Sequence, residues 1–199
     1  LIKSELLNLA PLGIVGYHPA YLPANRGRHP IIWALVLGLS ETASTFFFMN
    51  EGVDSGDIIS QKSISINNKD DAGTLYKKVI ITALKQIDEF VPALESGNYI
   101  RIKQNDNLAN TWRKRTKIDG KIDWRMTAKL IHNLVRGLSK PYVGAHFELN
   151  DKIIKVWKTK IITNKDNNIE PGKVLINKKG KAVIKAGEDA IQLIEIEPQ

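Results

Sequence analysis

The sequence contains no cysteine, which excludes disulfide scaffolds, thiolate metal centres and cysteine nucleophiles, and fits a reducing, cytoplasmic compartment. Its four histidines, His18, His29, His132 and His146, show no HExxH-type spacing, so no metal site is expected. No apolar run reaches the ~18–20 residues that a membrane helix requires. The longest, Ile31 to Leu39, ends at Ser40. No segment has the charged, apolar and small-residue order of a signal peptide.

What is present is ordinary globular material: 199 residues, 43% hydrophobic and 25% charged. That length is ample for one core and borderline for two domains. The chain opens on Leu1, with Ile2, Leu6, Leu7 and Leu9 following at helical spacing. It is therefore expected to be a fragment lacking its natural start. The net charge of +8 is uneven, with residues 1–100 carrying −2 and residues 101–199 carrying +10. A basic half keeps a protein soluble, and it also suits a polyanionic partner such as nucleic acid or a phosphorylated metabolite.

The N-terminal half alternates strand and helix patterns. Leu12 to Tyr17 reads as a short buried strand, and residues 18–29 (HPAYLPANRGRH) as a structured loop. Pro30 opens a helix that ends near Gly38. Thr42–Met49 and Ile58–Ile66 read as strands flanking the acidic, turn-rich residues 50–57. A long helix is expected from Ala72, with Leu75, Val79, Ala83, Leu84, Ile87, Val91 and Leu94 on one face. Such alternation predicts an α/β layer.

Residues 98–122 are polar, basic and aperiodic. The expected division is a first domain over 1–107, a linker over 108–122 and a second domain over 123–199. In the second domain a helix over Met126–Leu138 precedes five strands: Val143–Leu149, Lys152–Ile162, Lys173–Ile176, Ala182–Lys185 and Ala190–Ile196. The turns Asn150-Asp151, Lys179-Gly180 and Gly187-Glu188 separate three of the four joins, a pattern that predicts a small OB-like β-barrel.

Two loops gather the residues capable of chemistry. The first carries His18, Arg26, Arg28 and His29, and the second carries Asp54 and Asp57. Both follow strands, the end at which open α/β sheets hold their ligands. A histidine oriented by a carboxylate makes a general base. Ordinary turn chemistry accounts for the aspartates equally well.

The segment from Gly16 through His18-Pro19-Ala20-Tyr21-Leu22-Pro23, Arg26-Gly27 and Pro30 resembles the signature loop of the folate-dependent formyltransferases, whose type member is methionyl-tRNA formyltransferase. That loop runs Asn-x-His, Ser-Leu-Leu-Pro, Arg-Gly, then Pro and a helix. Met49 followed by Asp54-Ser55-Gly56-Asp57 resembles the second signature, and Asp119-Gly120-Lys121-Ile122-Asp123-Trp124 resembles the opening of the family's C-terminal domain. Lys155 to Lys158 and Glu170 to Val174 resemble segments within that domain.

The resemblance implies the later part of a Rossmann-like catalytic domain followed by an OB-like domain, and formyl transfer from 10-formyltetrahydrofolate to a primary amine. It makes His18 the catalytic histidine and Asp54 its partner, with Arg26, Gly27 and Asp54 at the folate and acceptor site. It also implies that the first part of the catalytic domain, including part of the pterin pocket, precedes Leu1.

Two positions depart from the family pattern. Gly16 stands where the family has an asparagine that donates to the formyl oxygen, and Ala20 where it has a serine. Loss of one such donor costs ~3–4 kcal/mol of transition-state stabilisation. For the acceptor, the basic C-terminal half favours methionyl initiator tRNA, with Arg113, Lys114, Arg115, Lys117, Lys152, Lys155, Lys158 and Lys160 as phosphate contacts. The alternative is a nucleotide-linked amino sugar for surface polysaccharide, whose diphosphate also suits arginine. A third reading, a non-catalytic binding module, follows from Gly16. No membrane partner is expected.

Overall fold

In the computed structural model of the chain, which describes residues 2–178 and 181–198, the β-branched and aromatic run after Glu41 forms the central strand of the first of two compact units. That unit comprises Leu1–Trp33, Ser40–Asn68 and Thr74–Arg115; the second comprises Ala34–Leu39, Lys69–Gly73 and Thr116–Gln199. The elements up to Arg115 are α1 (Ser4–Leu7), β1 (Val15–His18), β2 (Arg26–Gly27), α2 (Pro30–Val36), β3 (Glu41–Phe48), β4 (Ile58–Ser65), α3 (Ala72–Glu95) and β5 (Thr111–Trp112).

β3 lies between β1 and β4 and is buried from Thr42 to Phe48, as a central strand covered on both faces must be. Both pairings are antiparallel, with His18 opposite Thr45 and Gly16 opposite Phe47. The later part of a Rossmann-like domain implied by the resemblance is here a three-stranded sheet in which both pairings are antiparallel. Residues 49–57 are too few for a parallel crossover between β3 and β4, which needs about a dozen. The parallel pair among the named strands is the short one between β2 and β5.

The polar side chains of β3 and β4 fix the loop after β1. Thr42 Oγ1 donates to the Pro19 carbonyl at 3.3 Å, Thr45 Oγ1 to that of Ala20 at 2.6 Å, and Gln61 Nε2 to that of Leu22 at 3.0 Å. Three loop carbonyls thus find donors away from water, which is what permits a proline-rich segment to be buried.

The long helix falls where expected, but its faces do not. Leu75, Val79 and Gln86 are buried, whereas Leu84 is 58% and Ile87 38% exposed. With Tyr76 and Ile80, these two form a second apolar stripe. Because both stripes have helical spacing, periodicity cannot choose between them. Gln86 occupies an inward position by donating to the Ser44 carbonyl at 3.1 Å and to Ser60 Oγ at 2.8 Å.

The second unit contains α4 (Ala128–Gly137) and the strands β6 (Ala145–Leu149), β7 (Lys152–Ile162), β8 (Val174–Lys178), β9 (Lys181–Lys185) and β10 (Ala190–Pro198). Five strands were expected and five form, in the order β6-β7-β10-β9-β8 with antiparallel neighbours. Among the described residues β6 and β8 remain the two edges, so the sheet is open and the expected OB-like barrel does not close. The expected Lys179-Gly180 turn lies outside the described residues.

The Asp119 to Trp124 motif does structural work at the opening of this unit. Asp119 Oδ2 accepts from Thr116 N–H at 2.6 Å, Ile122 N–H donates to the His146 carbonyl at 2.7 Å, and Trp124 meets Phe147 edge-on at 5.3 Å. Burial, reinforced by Arg136 and Lys129, lowers the His132 pKa. Burial and nearby lysines likewise lower that of His146, against an opposing contribution from Glu148. Folded protein therefore binds fewer protons at these imidazoles than unfolded protein does. Stability should fall as pH drops through about 6.5, the unfolded histidine range. Urea melts between neutral pH and pH ~5 test the sign, and replacing His132 by Gln should flatten the slope.

Candidate functional site

β1 ends on His18, which is 4% exposed. Its Nε2 lies 2.7 Å from the Asn25 carbonyl, and its Nδ1 faces Asp54 Oδ2 at 3.5 Å. Both ring nitrogens face acceptors, so each N–H of an imidazolium would find one. Asp54 sits in the left-handed region at φ 49°, a conformation that aspartate tolerates. Its Oδ2 also accepts the Gly27 N–H at 2.8 Å, and its side chain keeps 21% exposure. The two loops paired on sequence grounds therefore meet through His18 and Asp54. His29 is not part of that meeting: its Nδ1 accepts the Arg115 N–H at 3.3 Å.

Gly27 has φ +104°, and a Cβ there would lie 2.3 Å from the Trp112 carbonyl oxygen. Arg26 is buried, and its guanidinium is held internally. Nε and Nη2 donate to Gln104 Oε1 at 3.2 and 2.8 Å, and Nη2 also pairs with Asp106 at 2.8 Å. Arg26 thus braces the loop rather than presenting a charge.

Gln104 was not anticipated. It lies in the polar, aperiodic stretch where nothing marks one glutamine above its neighbours. It is 6% exposed, and its Nε2 donates to the carbonyls of Asp54 at 2.8 Å and Gly56 at 2.7 Å while Oε1 receives Arg26. One amide therefore locks the Asp54 loop to the Arg26 strand. Replacing it by Leu leaves several buried polar groups unpaired, each costing about 1–3 kcal/mol. We expect about 3 kcal/mol of destabilisation in urea; a loss below about 1 kcal/mol would show that the amide does not hold the loops.

Gly16 explains its own departure from the family pattern. A Cβ at this position would lie 2.9 Å from Met49 Cγ and 3.1 Å from Phe47 Cζ, so those side chains occupy the space of a larger residue. Installing asparagine should cost about 1–3 kcal/mol by overpacking. Shortening Met49 to alanine in the same chain should recover part of that, giving a favourable coupling in a double-mutant cycle. Among the described residues no group of three or more His, Asp or Glu side chains is placed to hold a metal ion, and no helix is long and apolar enough to cross a membrane.

Residues 1–87 match the family model described as "Formyl transferase", and residues 114–199 the one described as "Formyl transferase, C-terminal domain". The methionyl-tRNA formyltransferase of Caldanaerobacter subterraneus subsp. tengcongensis is 36% identical over 199 residues, which is 100% of this chain and 63% of that protein. The protein of the same name from a Staphylococcus epidermidis strain is 35% identical with the same coverage. The chain thus spans 63% of the length of these curated relatives.

Among solved structures, HypX from Aquifex aeolicus in complex with tetrahydrofolic acid is similar with a TM-score of 0.73 at 18% identity, over 92% of this chain and 31% of that one. The N-formyltransferase from Helicobacter canadensis in complex with folinic acid and dTDP-3-aminofucose gives 0.71 at 21%, over 90% of this chain and 65% of that one. At these identities the likeness is one of fold. The paired family models and the relatives matched along its whole length establish that the chain belongs to the formyl transferase family.

Proposed function

We propose that the chain belongs to an enzyme that transfers the formyl group of 10-formyltetrahydrofolate to a primary amine. The observation that carries this is the approach of His18 Nδ1 to Asp54 Oδ2 at 3.5 Å, within the two segments that resemble the family signatures. The amine nitrogen forms a bond to the formyl carbon, giving a tetrahedral intermediate. His18 Nε2 takes a proton from that nitrogen in exchange for its contact with the Asn25 carbonyl, with Nδ1 facing Asp54, and the same proton passes on to the leaving nitrogen. The bond from carbon to the folate nitrogen then breaks, and the leaving nitrogen is protonated. Gly27 and Arg26 shape the wall of this site by holding Asp54 and the adjoining strand pair.

Methionyl initiator tRNA is the favoured acceptor. The relatives carrying that name and the net +10 of residues 101–199 support it. Lys152, Lys158 and Lys160 are exposed, as phosphate contacts must be. The absence of a side chain at Gly16, with its space filled by Met49, favours a divergent branch and so a nucleotide-linked amino sugar as the alternative acceptor. The test offers the full protein 10-formyltetrahydrofolate with methionyl-tRNA, then with a panel of nucleotide-linked amino sugars, and follows release of tetrahydrofolate. Transfer to one acceptor identifies it. No transfer to any, with folate bound, overturns the reading.

A further inference from the structure

Each ring nitrogen of His18 has a neighbour. Nδ1 faces the Asp54 carboxylate at 3.5 Å, and Nε2 meets the Asn25 carbonyl at 2.7 Å. The second contact is the shorter, and it is held from behind. Asn25 makes it from the left-handed region at φ 65°, which asparagine visits more readily than most residues with a Cβ. Asn25 is the residue before β2, and Asn110 is the residue before β5. Asn110 grips it twice. Its Oδ1 accepts the Asn25 N–H at 2.7 Å, and its carbonyl accepts the Arg26 N–H at 3.0 Å.

These two bonds leave the Asn25 carbonyl little freedom. The first fixes the chain where it enters Asn25. The second fixes the peptide unit that joins Asn25 to Arg26, whose oxygen is the one at His18. A peptide whose N–H is engaged is also a stronger acceptor at its oxygen. Because a carbonyl only accepts, the 2.7 Å contact places a hydrogen on Nε2 in the resting protein. Nδ1, beside Asp54, is the other atom of the ring that can hold it. In the proposed reaction the amine nitrogen takes the place of the carbonyl beside Nε2. The line along which the ring now points at Asn25 is therefore the line along which it meets the amine.

We propose that Asn110 is a positioning residue for His18. Through the Asn25–Arg26 peptide it aims Nε2 and holds the ring still until the amine arrives. The inference rests on the formyl-transfer reading only for the use made of Nε2. Asn110 is exposed, so shortening its side chain leaves no buried cavity.

The test begins with proton NMR of the full protein without ligands, with His18→Ala assigning the ring signal. The parent should show a downfield Nε2–H resonance from His18, shielded from exchange with water by the Asn25 carbonyl. Asn110→Ala removes the acceptor of the Asn25 N–H and should abolish that resonance. Asn110→Asp keeps an oxygen at the same place and should retain it. In the transfer assay Asn110→Ala should lower kcat by about tenfold, the usual scale for a misaimed group, with KM for 10-formyltetrahydrofolate within about twofold of the parent. Asn110→Asp should recover most of the rate. Absence of the resonance in the parent, its persistence in Asn110→Ala, or an equal loss of rate in both variants would overturn the proposal. The resonance is read without substrate, so a protein that transfers no formyl group fails the formyl-transfer reading while the NMR still decides the role of Asn110.

Discussion

Alanine in place of His18 is expected to lower formyl transfer by about 10²–10⁴-fold, the usual contribution of a positioned general base. The side chain lies at the end of β1, 4% exposed, between the Asn25 carbonyl and the Asp54 carboxylate. His29, the other imidazole of this unit, does not substitute, since its Nδ1 is engaged by the Arg115 backbone. Truncation also leaves the Asn25 carbonyl without its partner, at about 1–3 kcal/mol. Rate and unfolding free energy must therefore be measured on the same preparation. The proposed role requires a fall in kcat far beyond any fraction unfolded. Asp54→Asn, which keeps an oxygen for the Gly27 N–H but removes the charge, should give a smaller fall in the same direction. A His18→Ala protein within about threefold of the parent rate would exclude His18 as the base.

The second large effect is on stability, at Gly27. A residue with a Cβ adopts positive φ at a cost of about 1–2 kcal/mol. Here the new carbon would also meet the Trp112 carbonyl oxygen at 2.3 Å, an atom already accepting the Arg28 N–H at 3.0 Å. That oxygen belongs to backbone and cannot swing aside. β2 and β5 would have to part, and with them the hold of Gly27 N–H on Asp54. Gly27→Ala should lose about 3–4 kcal/mol and on the order of 10 °C in Tm, a large share of ordinary domain stability. Activity should fall with it, because Asp54 loses a donor. A melt within about 2 °C of the parent would mean that the strand pair yields without cost.

The part of the site visible in the sequence was the part carried by strand ends. His18 and Asp54 each follow a run whose apolar content marks a strand, but β1 and β3 are antiparallel, so a shared sheet end is not what joins their loops; Asp54 is drawn to His18 through its hold on the Gly27 N–H. Gln104 was invisible because its role is to satisfy three separated backbone and side-chain groups, and no spacing rule marks such a residue. Arg26 was legible as important but not as buried, since its partners are 78 and 80 residues away.

The strands of the second unit were legible almost residue for residue, as β7 over Lys152–Ile162 shows. Their order was not, because pairing β10 between β7 and β9 is a tertiary choice. The faces of α3 failed for the opposite reason: apolar residues line two stripes, and only contact with β3 and β4 decides which one is covered.

The locking of Asp54 and Arg26 by Gln104 has a consequence for synthesis. Those hydrogen bonds span 50 and 78 residues, and the neighbouring strand pair joins Gly27 to Trp112. A nascent chain that has emerged through residue 100 already displays His18 and Asp54, yet it lacks the amide that fixes their separation. Long-range closures of this kind come late in folding. The lock on Asp54 therefore cannot close until residues 104–112 have left the ribosome.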